Sequence, residues 1–146
     1  MSSHHDFLLQ AVKLAQENKA KGGRPFGAVL VKDGKVVATG VNEMLEKYDA
    51  SSHAELEAIR TATTQLKNVS LNGCTIYASG HPCPMCLAAI LMTKIEAIYF
   101  AYDNADGEPF GFSSEQTYKA LGINRESLPI KIERLDIGIP VQDVYQ

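Results

Sequence analysis

The sequence predicts a three-layer α/β fold in which a mixed sheet lies between two layers of helices. Three observations carry that prediction. Segments of helical and of strand character alternate along the chain, a tight hairpin precedes the alternation, and the strand segments are almost continuously apolar, as strands covered on both faces are. With 146 residues, 45% of them hydrophobic and 21% charged, the chain is long enough to bury a core without disulfide staples, and residues 1–146 read as a single domain. No internal repeat, low-complexity tract or linker divides it.

Each element has its own signal. Phe7, Leu8, Ala11, Val12, Leu14 and Ala15 recur at helical spacing after Asp6, the expected N-cap, and Gly22 and Gly23 stop that helix. Ala28 to Val31 and Val36 to Val41 are apolar runs joined through Asp33-Gly34, a dipeptide suited to a two-residue hairpin. Asn42 to Ser52 reads as irregular, and Leu56, Ile59, Ala62 and Leu66 place a second helix over residues 53–66. Cys74 to Ala78 is a third strand. Cys83 then sits as an N-cap with Pro84 at the first helical position, where its missing N–H costs nothing, and the helix runs on to Met92. Ile95 to Ala101 is a fourth strand, Asp103 to Gly111 a loop, and Ser114 to Leu121 a short helix stopped by Gly122. Leu128 to Leu135 reads as an edge strand and Pro140 to Gln146 as a tail.

Composition excludes several functional classes. A net charge of -3 disfavours a general nucleic-acid binder. No apolar run is long enough to cross a bilayer, and Met1 to Gln10 lacks the charged start and apolar centre of a signal peptide, so the expected location is cytoplasmic, away from membranes. Three cysteines, two of them in a C-x-x-C, do not make a secreted disulfide framework. His4 and His5, neighbours in a polar terminus, are expected to be solvated.

Two short stretches carry chemistry. His53-Ala54-Glu55 and Pro82-Cys83-Pro84-Met85-Cys86 together offer one imidazole and two thiolates, the ligand set of a catalytic zinc whose fourth position stays open to water. Two thiolates also cancel the charge of the ion, so such a site can be fairly dry. Residues two apart in a helix interior point to nearly opposite sides, so His53 and Glu55 share a site only at a helix entry. A lone C-x-x-C also fits a redox pair or half of a structural zinc knuckle, and acidic Glu55 and Glu57 at a helix start also complement its dipole. Those readings leave the joint spacing of His, Glu and both cysteines unexplained. Cys74, in the middle of an apolar strand, is expected to be an inert core thiol. His81 is a possible fourth ligand of a closed structural site.

These motifs resemble the signature of the zinc nucleobase deaminases of the cytidine/deoxycytidylate deaminase superfamily. The likeness covers most of the chain, including Pro25-Phe26-Gly27-Ala28 and Asn42, and is strongest to small bacterial guanine deaminases. It implies a cytidine-deaminase-like helix, sheet, helix sandwich, a homodimer, and hydrolysis of an exocyclic amine to a carbonyl with release of ammonia. It implies Zn2+ held by His53, Cys83 and Cys86, with Glu55 as the catalytic proton carrier. Asn42 would hydrogen-bond the base, Phe26 would stack on it and the Ala54 amide would contact the ring. Ser114 stands where those enzymes carry an aspartate that takes part in proton transfer, with Glu115 beside it as a substitute, and Tyr145 stands as an aromatic lid, in its own subunit or the partner's. His81 replaces the superfamily's usual glutamate before Pro-Cys. The implied substrate is a free heterocyclic base: guanine, a related aminopurine or a triazine. The alternatives are a tRNA adenosine deaminase, a cytosine or cytidine deaminase and, from another class, a non-catalytic zinc-stabilised binding module or a redox disulfide protein. The mixed charge of Leu121 to Gln146 argues against a surface for an RNA stem.

Overall fold

The chain runs α1 (His4–Ala20), β1 (Gly27–Lys32), β2 (Lys35–Val41), α2 (Met44–Lys47), α3 (Ala54–Leu66), β3 (Cys74–Gly80), α4 (Pro84–Met92), β4 (Ala97–Tyr102), α5 (Asn104–Gly107), α6 (Glu115–Leu121), β5 (Lys131–Arg134) and α7 (Gln142–Tyr145) in a computed structural model that describes residues 3–146. The sheet order is β2-β1-β3-β4-β5, antiparallel across the first three strands and parallel from β3 to β5. This is the mixed three-layer sandwich the sequence predicts.

Alternation along β1 separates the two cores. Ala28 and Leu30 face α3 and α4 and pack with Ala58, Ile59, Ala62, Leu87 and Ile90, while Val29 and Val31 face α1 and pack with Phe7, Leu8, Ala11 and Val12. Tyr145 and Val144 of α7 join the second core, so the C-terminal segment is tied down rather than a free tail. Gly40 allows β2 to lie directly under the start of α3: a Cβ there would fall 2.2 Å from the Ala54 carbonyl oxygen.

Several expectations are corrected. The N-cap of α1 is Ser3, not Asp6; Asp6 sits three residues on, and the two make a reciprocal capping box. β1 is covered on both faces, but β2 is an edge strand with Lys35, Val36 and Thr39 exposed, because its outer flank has no partner. The hairpin itself is as expected, with Asp33 and Gly34 both at positive φ. The segment 103–111 is not an open loop: Asp103 and Asp106 form a second capping box that starts α5, followed by a 3-10 turn at Glu108–Phe110. His4 is not merely solvated, since its Nδ1 lies 2.6 Å from the Tyr77 hydroxyl and its ring stacks on Tyr99.

Candidate active site

His53 and Cys83 occupy equivalent places. Each is an N-cap with extended backbone, His53 (φ -76, ψ 157) before α3 and Cys83 (φ -69, ψ 168) before α4. Pro84 fixes the entry to α4, and the Cys86 amide donates to the Cys83 sulfur at 3.5 Å, which seats Cys86 one turn on and fully buried. The two helix starts meet side by side. His53 Nδ1 lies 3.5 Å from each sulfur, and the three ligand atoms all lie within 4.8 Å of one another.

That spacing can be tested against a metal. Tetrahedral zinc with bonds of about 2.3 Å to sulfur and about 2.0–2.1 Å to nitrogen holds N and S roughly 3.5 Å apart, which is the separation seen here on both sides. The electrostatics agree. The adjoining Cys86 thiol, then the His53 imidazole, bring Cys83 down to about 4, a thiolate at neutral pH. Hydrogen bonding to Cys83 and burial push Cys86 far the other way. Without an ion the pair therefore shares one proton, Cys83 as thiolate and Cys86 as thiol; a cation bound by both sulfurs would take the place of that proton, and zinc is the ion this donor set fits. His81 stands outside the ligand group. Its Nδ1 lies 2.9 Å from the Pro82 carbonyl, so that nitrogen carries the proton, and burial lowers its pKa and keeps the ring neutral.

Glu55 enters the site from the first turn of α3 and is 7% exposed. Burial, with the Cys83 sulfur nearby, pushes its carboxyl up to about 7, so it can both take and return a proton near neutrality. The loop ahead of α3 is braced from outside: Ser52 Oγ donates to Glu57 at 2.7 Å, and Arg60 Nη1 reaches the same oxygen at 2.9 Å.

His53, Cys83 and Glu55 open onto a cavity of about 170 Å³, whereas Cys86 is fully buried and does not line it. Phe26, Asn42, Ala54 and Ser114 all line it. Asn42 is held by the Met44 amide, which donates to its Oδ1, leaving Nδ2 against only the weak acceptor Met44 Sδ. Phe26 meets Phe112 edge to face, with centroids 5.3 Å apart. Ala54 is the first residue of α3, so its N–H has no intrahelical acceptor.

Two expected roles are not matched by placement. Glu115 lies outside the cavity and is ion-paired with Arg125. Tyr145 does not line the cavity either; it is buried in its own chain against Phe26, Phe112, Tyr102 and Phe110, and so forms a layer behind the aromatic wall instead of a lid over it. Sequence reasoning passed over Arg24, Asn104 and Phe112, which do line it. For Asn104 a signal existed: Asp103 followed three residues later by Asp106 is a helix-start pattern. Cys74 is buried and unpaired, as expected of a core thiol.

Comparison with known proteins gives the same picture. The family described as the cytidine and deoxycytidylate deaminase zinc-binding region matches residues 1–102. A guanine deaminase of Bacillus subtilis is 42% identical over 120 residues, 82% of this chain and 77% of that enzyme. A tRNA-specific adenosine deaminase of Buchnera aphidicola is 33% identical over 138 residues, 92% of this chain and 87% of the relative. The crystal structure of a Bacillus subtilis guanine deaminase superposes with a TM-score of 0.81 at 38% identity, covering 94% of this chain and 88% of that one. The chain that brings one imidazole, two thiols and a buried carboxylate together at a pair of helix starts is thus matched along most of its length by deaminases, and it belongs to the zinc-binding cytidine and deoxycytidylate deaminase family.

Proposed function

We propose that this protein hydrolytically deaminates a free amino-heterocycle, with guanine or a closely related aminopurine or aminotriazine as substrate. The observation that carries the reading is the buried Glu55 carboxyl in the same small cavity as His53 and Cys83, two members of the His53, Cys83 and Cys86 ligand group. A cavity of about 170 Å³ is below the roughly 300–1,000 Å³ of pockets for drug-sized ligands, and suits one flat base better than a base with its sugar.

His53 Nδ1 and the sulfurs of Cys83 and Cys86 would hold the zinc, which when bound would supply a water acidified toward neutrality. Glu55 accepts the first proton of the attacking water and gives it to the ring nitrogen beside the amine-bearing carbon. It then moves the second proton to the amine as the C–N bond breaks. The water oxygen ends as the ring carbonyl and the nitrogen leaves as ammonia, so one carboxylate serves as base and then as acid. Phe26 stacks on the ring. Asn42 Nδ2 and the Ala54 N–H donate to ring acceptors, which orients the amine toward the metal side. Ser114 lines the cavity where a carboxylate was expected, so Glu55 is the one carboxylate there and carries both transfers.

The protein acts as a homodimer in the cytoplasm on this reading. Exposed Met85 and Met92 on α4 and Leu121 at the end of α6 supply apolar surface for a partner copy, and unpaired cysteines suit a reducing compartment. No described helix is long and apolar enough to cross a membrane. The net charge of -3 weighs against an RNA substrate, despite the likeness to tRNA deaminases.

The test is ammonia release from guanine, ammeline, adenine, cytosine, cytidine and an adenosine-containing RNA stem-loop, with Glu55→Gln as blank. Turnover of guanine or ammeline is the expected result. Activity confined to the RNA or to cytosine-type rings overturns the free-purine assignment.

A further inference from the structure

Asn104 opens α5 and lines the cavity, and it is 8% exposed. Its Oδ1 accepts from the Ser114 backbone N–H at 3.1 Å and from the Ser114 hydroxyl at 3.4 Å. A backbone N–H can only donate, so the atom facing it is the oxygen and the other end of the amide is the NH2 group. That Nδ2 is the one buried side-chain nitrogen or oxygen without a hydrogen-bond partner among the described residues. Buried donors are almost always paired, and an orphan on a residue that lines a pocket asks for an acceptor that arrives with a ligand.

The rest of the cavity points the same way. Arg24 lines it and has no ion pair among the described residues. Against Arg24, Asn104, Asn42 and the Ala54 N–H, the lining offers a single carboxylate, Glu55, which the reaction itself uses. The other acceptors the lining offers are neutral, the His81 imidazole and the Ser113 and Ser114 hydroxyls, and none of them pairs with Asn104 Nδ2.

We propose that Asn104 determines substrate specificity by donating from Nδ2 to an acceptor on the ring, so that the site selects an aminoheterocycle carrying an oxo group or bare ring nitrogen at that point over one carrying a C–H or an amine there. The inference rests on the free-base deaminase reading and names the edge chemistry that reading leaves open.

Four bases resolve it: guanine, 2-aminopurine without the oxo group, 7-deazaguanine without the five-membered-ring acceptor, and 3-deazaguanine without the remaining acceptor. All keep the amine. The wild-type, zinc-loaded protein is measured for kcat/KM, and Glu55→Gln for Kd, which reads binding apart from chemistry. The same measurements are made with Asn104→Asp, which keeps an oxygen for Ser114 and replaces the donor by an acceptor. Losing one hydrogen bond to a buried donor is expected to cost about 10–100-fold. One of the three acceptor deletions should show that loss in Kd on the Glu55→Gln background, and adding Asn104→Asp should weaken guanine by a similar factor while leaving that one analogue little changed.

An equal effect of Asn104→Asp on all four bases makes Asn104 structural and overturns the proposal, as does no effect on any. If Asn104→Asp does not fold, the Kd series on Glu55→Gln still decides, because turnover of 3-deazaguanine also loses the ring nitrogen that takes the proton: no single deletion weakening binding more than threefold overturns the proposal. Failure of every base to bind or turn over has a different meaning, since it removes the free-base reading itself and the proposal with it.

Discussion

The wall that carries His53, Glu55, Cys83 and Cys86 is made from two helix starts, whereas the wall at Asn104 to Ser114 is made from one short helix, a 3-10 turn and a loop. In the first, each side chain is aimed by its own backbone: an extended N-cap, a proline at the first helical position, a residue one turn later. In the second, position comes from packing across the fold, with Phe112 against Phe26 and Tyr145 behind both. The difference teaches where change is tolerated. The reacting groups depend on local geometry that few residues can supply, and the selecting groups depend on packing that can shift with modest cost.

The sharpest break of that contrast is at a ligand. Cys86→Ala leaves only His53 and Cys83, and zinc should be lost along with ammonia release. Stability falls with the metal: a ligand present at a hundred times its Kd adds about 3 kcal/mol, or roughly 6–12 °C of melting temperature in a chain of this size. Metal content and thermal melts of wild type and variant, each with and without chelator, check it. A variant that melts like wild type and is insensitive to chelator would mean the helix starts hold together without the ion.

Glu55→Gln asks for chemistry without structure. Zinc should be retained and the melting temperature hardly changed, while kcat falls by about 10²–10⁴-fold, the usual span for a positioned proton carrier. Near-native ammonia release from this variant would assign proton transfer elsewhere.

For the other wall the informative residue is Gly80, the last of β3, which lies against the aromatic layer that supports Phe112. A Cβ there would lie 2.7 Å from the Tyr145 hydroxyl oxygen and 3.4 Å from Phe26 Cε1. Gly80→Ala should therefore push on the aromatic layer and cost about 1–3 kcal/mol, as overpacking does, and raise KM more than it lowers kcat. Tyr145→Phe removes the oxygen that clashes, so the double variant should recover more than half of the loss. Urea denaturation of the four proteins closes the cycle. Additive losses would show that Tyr145 does not brace Phe26.

How much of this was legible in the sequence follows the same division. The sandwich, the hairpin at Asp33-Gly34 and the helix starts at His53 and Cys83 depend on periodicity, turn chemistry and caps, all of which are short-range and readable. Arg24 and Phe112 could not be located, because what brings them to the cavity is the meeting of segments far apart in sequence. Tyr145 was misplaced for a similar reason. An aromatic residue one position from the end of a chain looks free in sequence, and only its burial against Phe26 and Phe112 shows that it is core. The Asp103 and Asp106 capping box was readable but hidden by Gly107, Pro109 and Gly111, which argued for a loop.

The smallest expected effect tests whether the first wall is as local as it looks. Glu57 accepts from Ser52 Oγ and pairs with Arg60 and, at 3.5 Å, with Lys47, tying α3 back to the loop that delivers His53. Burial opposes ionisation of Glu57, but the Ser52 hydroxyl with Lys47 and Arg60 outweighs it and holds the carboxyl below its ordinary value of 4.5. A carboxyl depressed on folding stabilises the native state above its unfolded pKa, and the contribution disappears as pH falls through the folded value. Glu57→Gln should therefore melt about 2–4 °C below wild type at pH 7, the equivalent of about 1 kcal/mol for such a pair. The gap should close as the pH is taken below 4.5. Melting temperatures of both proteins from pH 7 to pH values well below that point measure it. A gap that stays constant would assign the brace to shape and neutral hydrogen bonding, and a fall in kcat at pH 7 larger than the fall in stability would show that the aim of His53 depends on a contact four residues away.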